Sequence, residues 1–104
     1  MTRYGIIENE EFSLIHLRRK ITRLRPDWSL TFTAETVEDS VARLSGSDAG
    51  IDLLFLDIEL DDGNCFDIFR QLALICGSDT ASFDIPVIFT TSYDQYAIQA
   101  FRLN

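Results

Sequence analysis

The feature that most constrains this chain is a repeated change of hydrophobic period. Short apolar runs, which suit strands, alternate with longer segments whose apolar residues recur every three or four positions, which suit helices. Residues 4–7 are an apolar run that ends in the acidic stretch "ENEE". Across residues 11–25, Leu14, Leu17, Ile21 and Leu24 recur at helical spacing with arginines between them, and Pro26 with Asp27 stops the pattern. Residues 28–33, "WSLTFT", alternate as a strand does. Val37, Val41 and Leu44 mark a second helix with Thr36 as its N-cap, and "SGSDAG" is a turn. Residues 51–56 read as a strand buried on both faces. Phe66, Phe69 and Leu72 or Ala73 mark a third helix, followed by the loop "CGSDTASFD". Residues 86–90, "PVIFT", form another buried strand, and a fourth helix begins at residues 96–103.

The order is therefore βαβαβαβα within 104 residues, a length that suits one compact domain spanning 1–104. Continuous apolar strands separated by helices imply a parallel sheet covered on both faces. Right-handed crossovers leave few windings, and the expected one is a doubly wound α/β sheet of flavodoxin-like order 2-1-3-4.

In such a sheet all strands end on one edge, and ligands bind where the winding direction switches. Glu8 and Asn9 follow the first strand, Asp57 follows the third, and Thr91 follows the fourth, so four oxygen-bearing side chains are expected to converge. Carboxylates gathered in one crevice repel unless a cation lies among them. A donor set made only of oxygen, without His or Cys, points to a hard ion such as Mg2+. A carboxylate beside that ion can act as a nucleophile toward phosphorus. Each residue alone has a plainer reading: Asp57 as a turn former, "ENEE" as an acidic first helical turn, Thr91 as a cap.

Composition narrows the classes. With 9 Lys and Arg against 17 Asp and Glu, the formal charge is −8, which argues against direct nucleic-acid binding by this stretch. The start "MTRYGIIENEE" lacks the apolar core of a signal peptide, and no run approaches membrane-spanning length, so a cytoplasmic protein is expected. Cys65 and Cys76 have no metal-binding spacing and are expected to be free, half-buried thiols. His16 has no ligand partner near it in sequence and is expected at the surface; Tyr93 and Tyr96 are expected in packing or at a partner surface.

These residues resemble the receiver domain of bacterial two-component response regulators, and most closely the subgroup that precedes a LytTR-type DNA-binding domain. "LLFLDIELDDGNCFDIFRQL" is similar to the family's phosphoacceptor strand, loop and third helix, and "GIIENEEFSL" to its opening strand and acidic turn. "PVIFTTSYDQYAIQAFRLN" is similar to the subgroup's fourth strand and following helix. The resemblance implies that Asp57 accepts a phosphoryl group from a sensor histidine kinase. It implies that Glu8, Asn9, Asp57 and the backbone carbonyl of Glu59 support Mg2+, and that Thr91 and Ser92 contact the phosphoryl group and switch. A C-terminal output domain and a homodimer are the further partners it suggests.

Two departures accompany the resemblance. Asn9 stands where an aspartate is usual, so weaker Mg2+ binding is expected. The family's lysine on a fifth strand has no counterpart, since Lys20 is the only lysine and lies in the first helix. The resemblance thus implies a receiver that lacks its fifth strand and final helix, with residues 86–90 left as a sheet edge that needs a partner strand or a cover. Two other functions remain open. One is a phosphate-independent interaction module. The other is a haloacid-dehalogenase-like phosphatase suggested by "DIE", although Glu59 is the wrong length for its second acid.

Overall fold

In a computed structural model, residues 1–45, 50–76 and 85–90 are described. The elements are β1 (Arg3–Ile7), α1 (Glu11–Leu24), β2 (Ser29–Ala34), α2 (Val37–Leu44), β3 (Leu53–Leu56), β4 (Glu59–Leu60), β5 (Gly63–Asn64), α3 (Cys65–Cys76) and β6 (Val87–Phe89). Four strands form a parallel sheet in the order β2-β1-β3-β6, and β4 with β5 forms a small antiparallel hairpin. The expected 2-1-3-4 winding is thus the observed one, with the hairpin strands inserted before the fourth strand of the main sheet. Thr91, Ser92, Tyr93, Tyr96 and the expected fourth helix lie outside the described residues.

Period two sorts each strand between two cores. Ile7, Leu54 and Leu56 face α2 and α3, where they pack with Val37, Val41, Leu44, Ile68 and Leu72. Tyr4, Ile6 and Phe55 face α1, with Ile21 buried against them and Leu14 and Leu17 partly buried. On that side Tyr4 meets Phe55 edge to face, with ring centroids 5.8 Å apart, and a tilted Trp28 lies at 6.3 Å. Gly5 lies on the opposite side of β1. A Cβ there would stand 2.8 Å from Phe32 Cζ, so its missing side chain makes room for the tip of that ring.

Several expectations need correction. The strand expected over 51–56 starts at Leu53; just before it Asp52 is tied to Arg3, its N–H donating to Arg3 O at 2.7 Å and its Oδ2 accepting from the Arg3 N–H at 2.9 Å. Leu24, assigned to the buried stripe of the first helix, is 64% exposed because it is the last residue of that helix. Ile88 in the strand expected to be buried is 46% exposed; among the described residues β6 is the edge of the sheet, and Ile88 sits in register with Phe55 on the α1 side. Cys65 is fully buried rather than half-buried, and is a free thiol. Burial pushes that thiol up to about 11, so it is protonated and inert at neutral pH. His16 is exposed, as expected.

The stretch read as a plain loop, "ELDDGN", is a hairpin with a two-residue turn that fastens two helices. Asp62 spans the N-terminus of α2, accepting from the Val37 N–H at 2.6 Å and the Glu38 N–H at 3.1 Å. These amides hold its carboxyl below the usual carboxylate range. The Thr36 hydroxyl caps the same helix, as its sequence position predicts, by accepting from the Asp39 N–H. Asn64 caps α3 by accepting from the N–H groups of Phe66 and Asp67, while the Asp67 carboxylate accepts in return from the Asn64 N–H at 2.9 Å.

Gly63 makes this compactness possible. Its φ of +154° is one that residues with side chains rarely adopt, and an added Cβ would lie 2.5 Å from Asp67 Oδ2 and 3.1 Å from Val37 Cγ2. Gly63→Ala is therefore expected to destabilise the fold by about 1–3 kcal/mol, measured by chemical denaturation. A substitution at an exposed position of α1 provides the neutral control.

Candidate functional site

The ladders that end the strands build the site. Each continues one residue past the last strand position: the Glu8 N–H donates to Ala34 O at 2.9 Å, the Asp57 N–H to Ile7 O at 2.9 Å, and the Thr90 N–H to Leu56 O at 3.1 Å. Glu8, Asp57 and Thr90 therefore stand at one carboxyl edge. Glu8 follows Ile6 by two residues and Asp57 follows Phe55 by two, so both continue the face that packs α1.

Glu8 is buried, an unusual place for a carboxylate, and Asp57 is partly exposed beside it. The Asp57 carboxyl stands close enough to act on that of Glu8 both as a hydrogen-bond partner and through its charge. Burial foremost, then the hydrogen bond and charge of Asp57, raise Glu8 from 4.5 to about 7; the backbone N–H groups of Glu10 and Asn9 offset part of the rise. The Glu10 N–H reaches Glu8 Oε2 at 3.3 Å.

The Asn9 side chain reaches toward the hairpin instead. Its Nδ2 donates to Asp61 Oδ1 in the hairpin at 3.0 Å. Glu59 is exposed in β4, and the carbonyl of its neighbour Ile58 accepts from the Cys65 N–H at 2.8 Å. Lys20 is exposed on α1. Thr91 and Ser92 lie outside the described residues, but Thr90 Oγ1, one residue upstream, is buried with no hydrogen-bond partner among those described. Asp61 and Thr90 were not foreseen from the sequence.

The crevice thus offers two carboxylates, an amide and backbone carbonyls. Among the described residues no group of three or more His, Cys, Asp or Glu side chains gathers to hold a metal ion. Two carboxylates completed by neutral oxygens and water suit Mg2+, which takes few charged ligands and keeps part of its hydration. A buried Glu8 with a second carboxylate beside it fits such an ion as well.

Comparison with known proteins agrees with this architecture. No protein-family model matches the chain. Over all 104 residues it is 30% identical to the sensory transduction protein LytT of Bacillus cereus and 27% identical to the transcriptional regulatory protein NatR of Bacillus subtilis. It spans about two fifths of these relatives, 39% and 41% of their length. Among solved structures, the non-phosphorylated HemR receiver domain of Leptospira biflexa superposes with a TM-score of 0.72 at 23% identity, over 100% of this chain and 77% of that one. The MaeR response regulator bound to beryllium trifluoride superposes with a TM-score of 0.67 at 27% identity, over 99% and 77%.

A parallel sheet wound 2-1-3-6 with its acids at the carboxyl edge, set beside these solved structures, is the fold of response-regulator receiver domains. Among response regulators it is similar to the LytT and LytR sensory transduction proteins. No helix among the described residues is long and apolar enough to cross a membrane.

The Glu8 shift gives a test of the site without metal. Its folded pKa is raised, so its contribution to stability is full below about 4.5 and is lost as pH rises through 7. Between pH 5 and pH 8 the metal-free chain is expected to lose on the order of 1–2 kcal/mol from this group, allowing for solvent screening near the crevice mouth. Urea unfolding at both pH values, compared with Glu8→Gln, measures it: the glutamine variant lacks that component.

Proposed function

We propose that this chain is a phosphorylation switch in which Asp57 accepts a phosphoryl group from the phosphohistidine of a sensor kinase. The observation that carries the reading is the placement of Glu8 and Asp57 side by side at the carboxyl edge of the sheet, each held there by its backbone ladder bond. An Asp57 oxygen attacks phosphorus, the P–N bond to the histidine breaks, and the histidine nitrogen keeps the electron pair. Bound Mg2+, held by Glu8, Asn9, Asp57 and the Glu59 carbonyl, would neutralise charge on the phosphoryl oxygens. The backbone bond from the Asp57 N–H to Ile7 O keeps the nucleophile at the edge. Thr91 and Ser92 are the residues proposed to contact the phosphoryl group.

The product is a switch rather than a turnover catalyst. A phosphoryl group adds negative charge and acceptor oxygens at Asp57, biasing the segment after β6 and, through it, an output domain. The LytT and NatR relatives are more than twice as long as this chain, and NatR is named a transcriptional regulatory protein; both fit a receiver that acts on an output domain, here proposed to be of the LytTR DNA-binding kind. The domain itself would act in the cytoplasm, with a homodimer as a possible output form, and would not touch nucleic acid with its own acidic surface.

One observation favours a second reading. Asn9 is already bonded to Asp61, as in a module that keeps the receiver fold without its chemistry. Incubation with Mg2+ and acetyl phosphate, followed by intact-mass measurement, separates the readings. The chain, or a version extended past Asn104, is expected to gain one phosphoryl group that Asp57→Asn abolishes. Absence of any adduct on both would sink the switch and leave the interaction module. Hydrolysis of a phosphomonoester with turnover would instead favour a phosphatase.

A further inference from the structure

An amide side chain has one donor end and one acceptor end, whereas a carboxylate only accepts. The hydrogen bond from Asn9 Nδ2 to Asp61 Oδ1 at 3.0 Å therefore settles which way the Asn9 amide faces. Reversed, it would set its oxygen against a carboxylate oxygen. With the nitrogen committed to Asp61, Oδ1 is the end of the amide left to act as a ligand, on the residue that directly follows Glu8.

Asp61 is itself well anchored. It belongs to a two-residue turn between the paired residues Leu60 and Gly63, and its neighbour Asp62 is fixed to the α2 amides. The carboxylate is thus presented by a fastened hairpin rather than by a free loop. A charged acceptor also strengthens its hydrogen bond and polarises the amide toward a more negative oxygen.

We propose that Asp61 is a positioning residue for the divalent cation. It orients the Asn9 amide with its oxygen toward the site, and through that bond it supplies part of the charge that an aspartate at position 9 would carry. The inference rests on the reading that this crevice binds Mg2+. It makes Asn9 and Asp61 a working pair: the amide is serviceable because an acid in the hairpin stands behind it. An aspartate at position 9 would instead face Asp61 as a like charge, so the benefit of Asp61 should reverse with the residue at position 9.

Mg2+ titrations followed by backbone amide NMR shifts on the full chain test this, using Asp61→Ala, Asp61→Asn, Asn9→Asp and the double variant Asn9→Asp/Asp61→Ala. Asp61→Ala is expected to weaken Mg2+ binding by about fivefold to tenfold, the scale of losing an outer partner of a metal ligand. Asp61→Asn, which keeps an acceptor oxygen, is expected to lose less. In the Asn9→Asp background, removing Asp61 is expected to leave the affinity unchanged or raise it.

Because Asp61 is exposed, the variants are expected to fold, and the same amide spectra report whether they do. Equal weakening in both backgrounds would show only the field of a lost charge and overturn the proposal. So would an unchanged affinity in Asp61→Ala. If none of the proteins bound Mg2+, the metal reading would fail and this inference with it. Binding that ignores Asp61 would overturn this inference alone.

Discussion

Two carboxylates held in contact at the end of a parallel sheet are the constraint on which the rest of the molecule turns. Left to themselves Glu8 and Asp57 would separate, since like charges in a partly dry crevice repel. They stay together because their backbones are locked into ladders: Glu8 to β2 through Ala34, and Asp57 to β1 through Ile7. Those ladders are secured in turn by apolar burial on both faces, with Leu54 and Leu56 inaccessible on one side and Ile6 on the other. The folding energy of the hydrophobic layers thus holds two acids where solvation alone would not.

Much of this could be read from the sequence because it depends on period. The change between periods of two and of three to four placed the four sheet strands and their order, and the ends of those strands placed Glu8 and Asp57 on one edge. The Thr36 cap was legible because capping chemistry is local. The hairpin was not, because two-residue strands carry no period, and its stability lies in side-chain bonds to two separate helices. The contact between Asn9 and Asp61 was hidden for a related reason: 52 residues separate them, and a polar pair leaves no pattern in the intervening chain.

The corrected elements share one cause. Leu24 and Ile88 satisfy the apolar pattern of their segments yet are exposed, one at the last position of α1 and one at the edge of the described sheet. A pattern reports which face of an element is apolar. It does not report whether another layer reaches far enough to cover that face, and at the ends of helices and the margins of sheets this decides burial.

The stretch from Asp61 to Asn64 leaves no residue idle. Asp61 answers to β1's following turn, Asp62 to α2, Gly63 to the space against Val37, and Asn64 to α3. Four consecutive positions are thus accountable to three different neighbours: the turn after β1, α2 and α3. Drift at any one of them strands a contact elsewhere in the domain, and an insertion would throw all four out of step. Divergence in this segment should therefore proceed by replacement of the whole block together with its partners, and hardly at all by single exchanges.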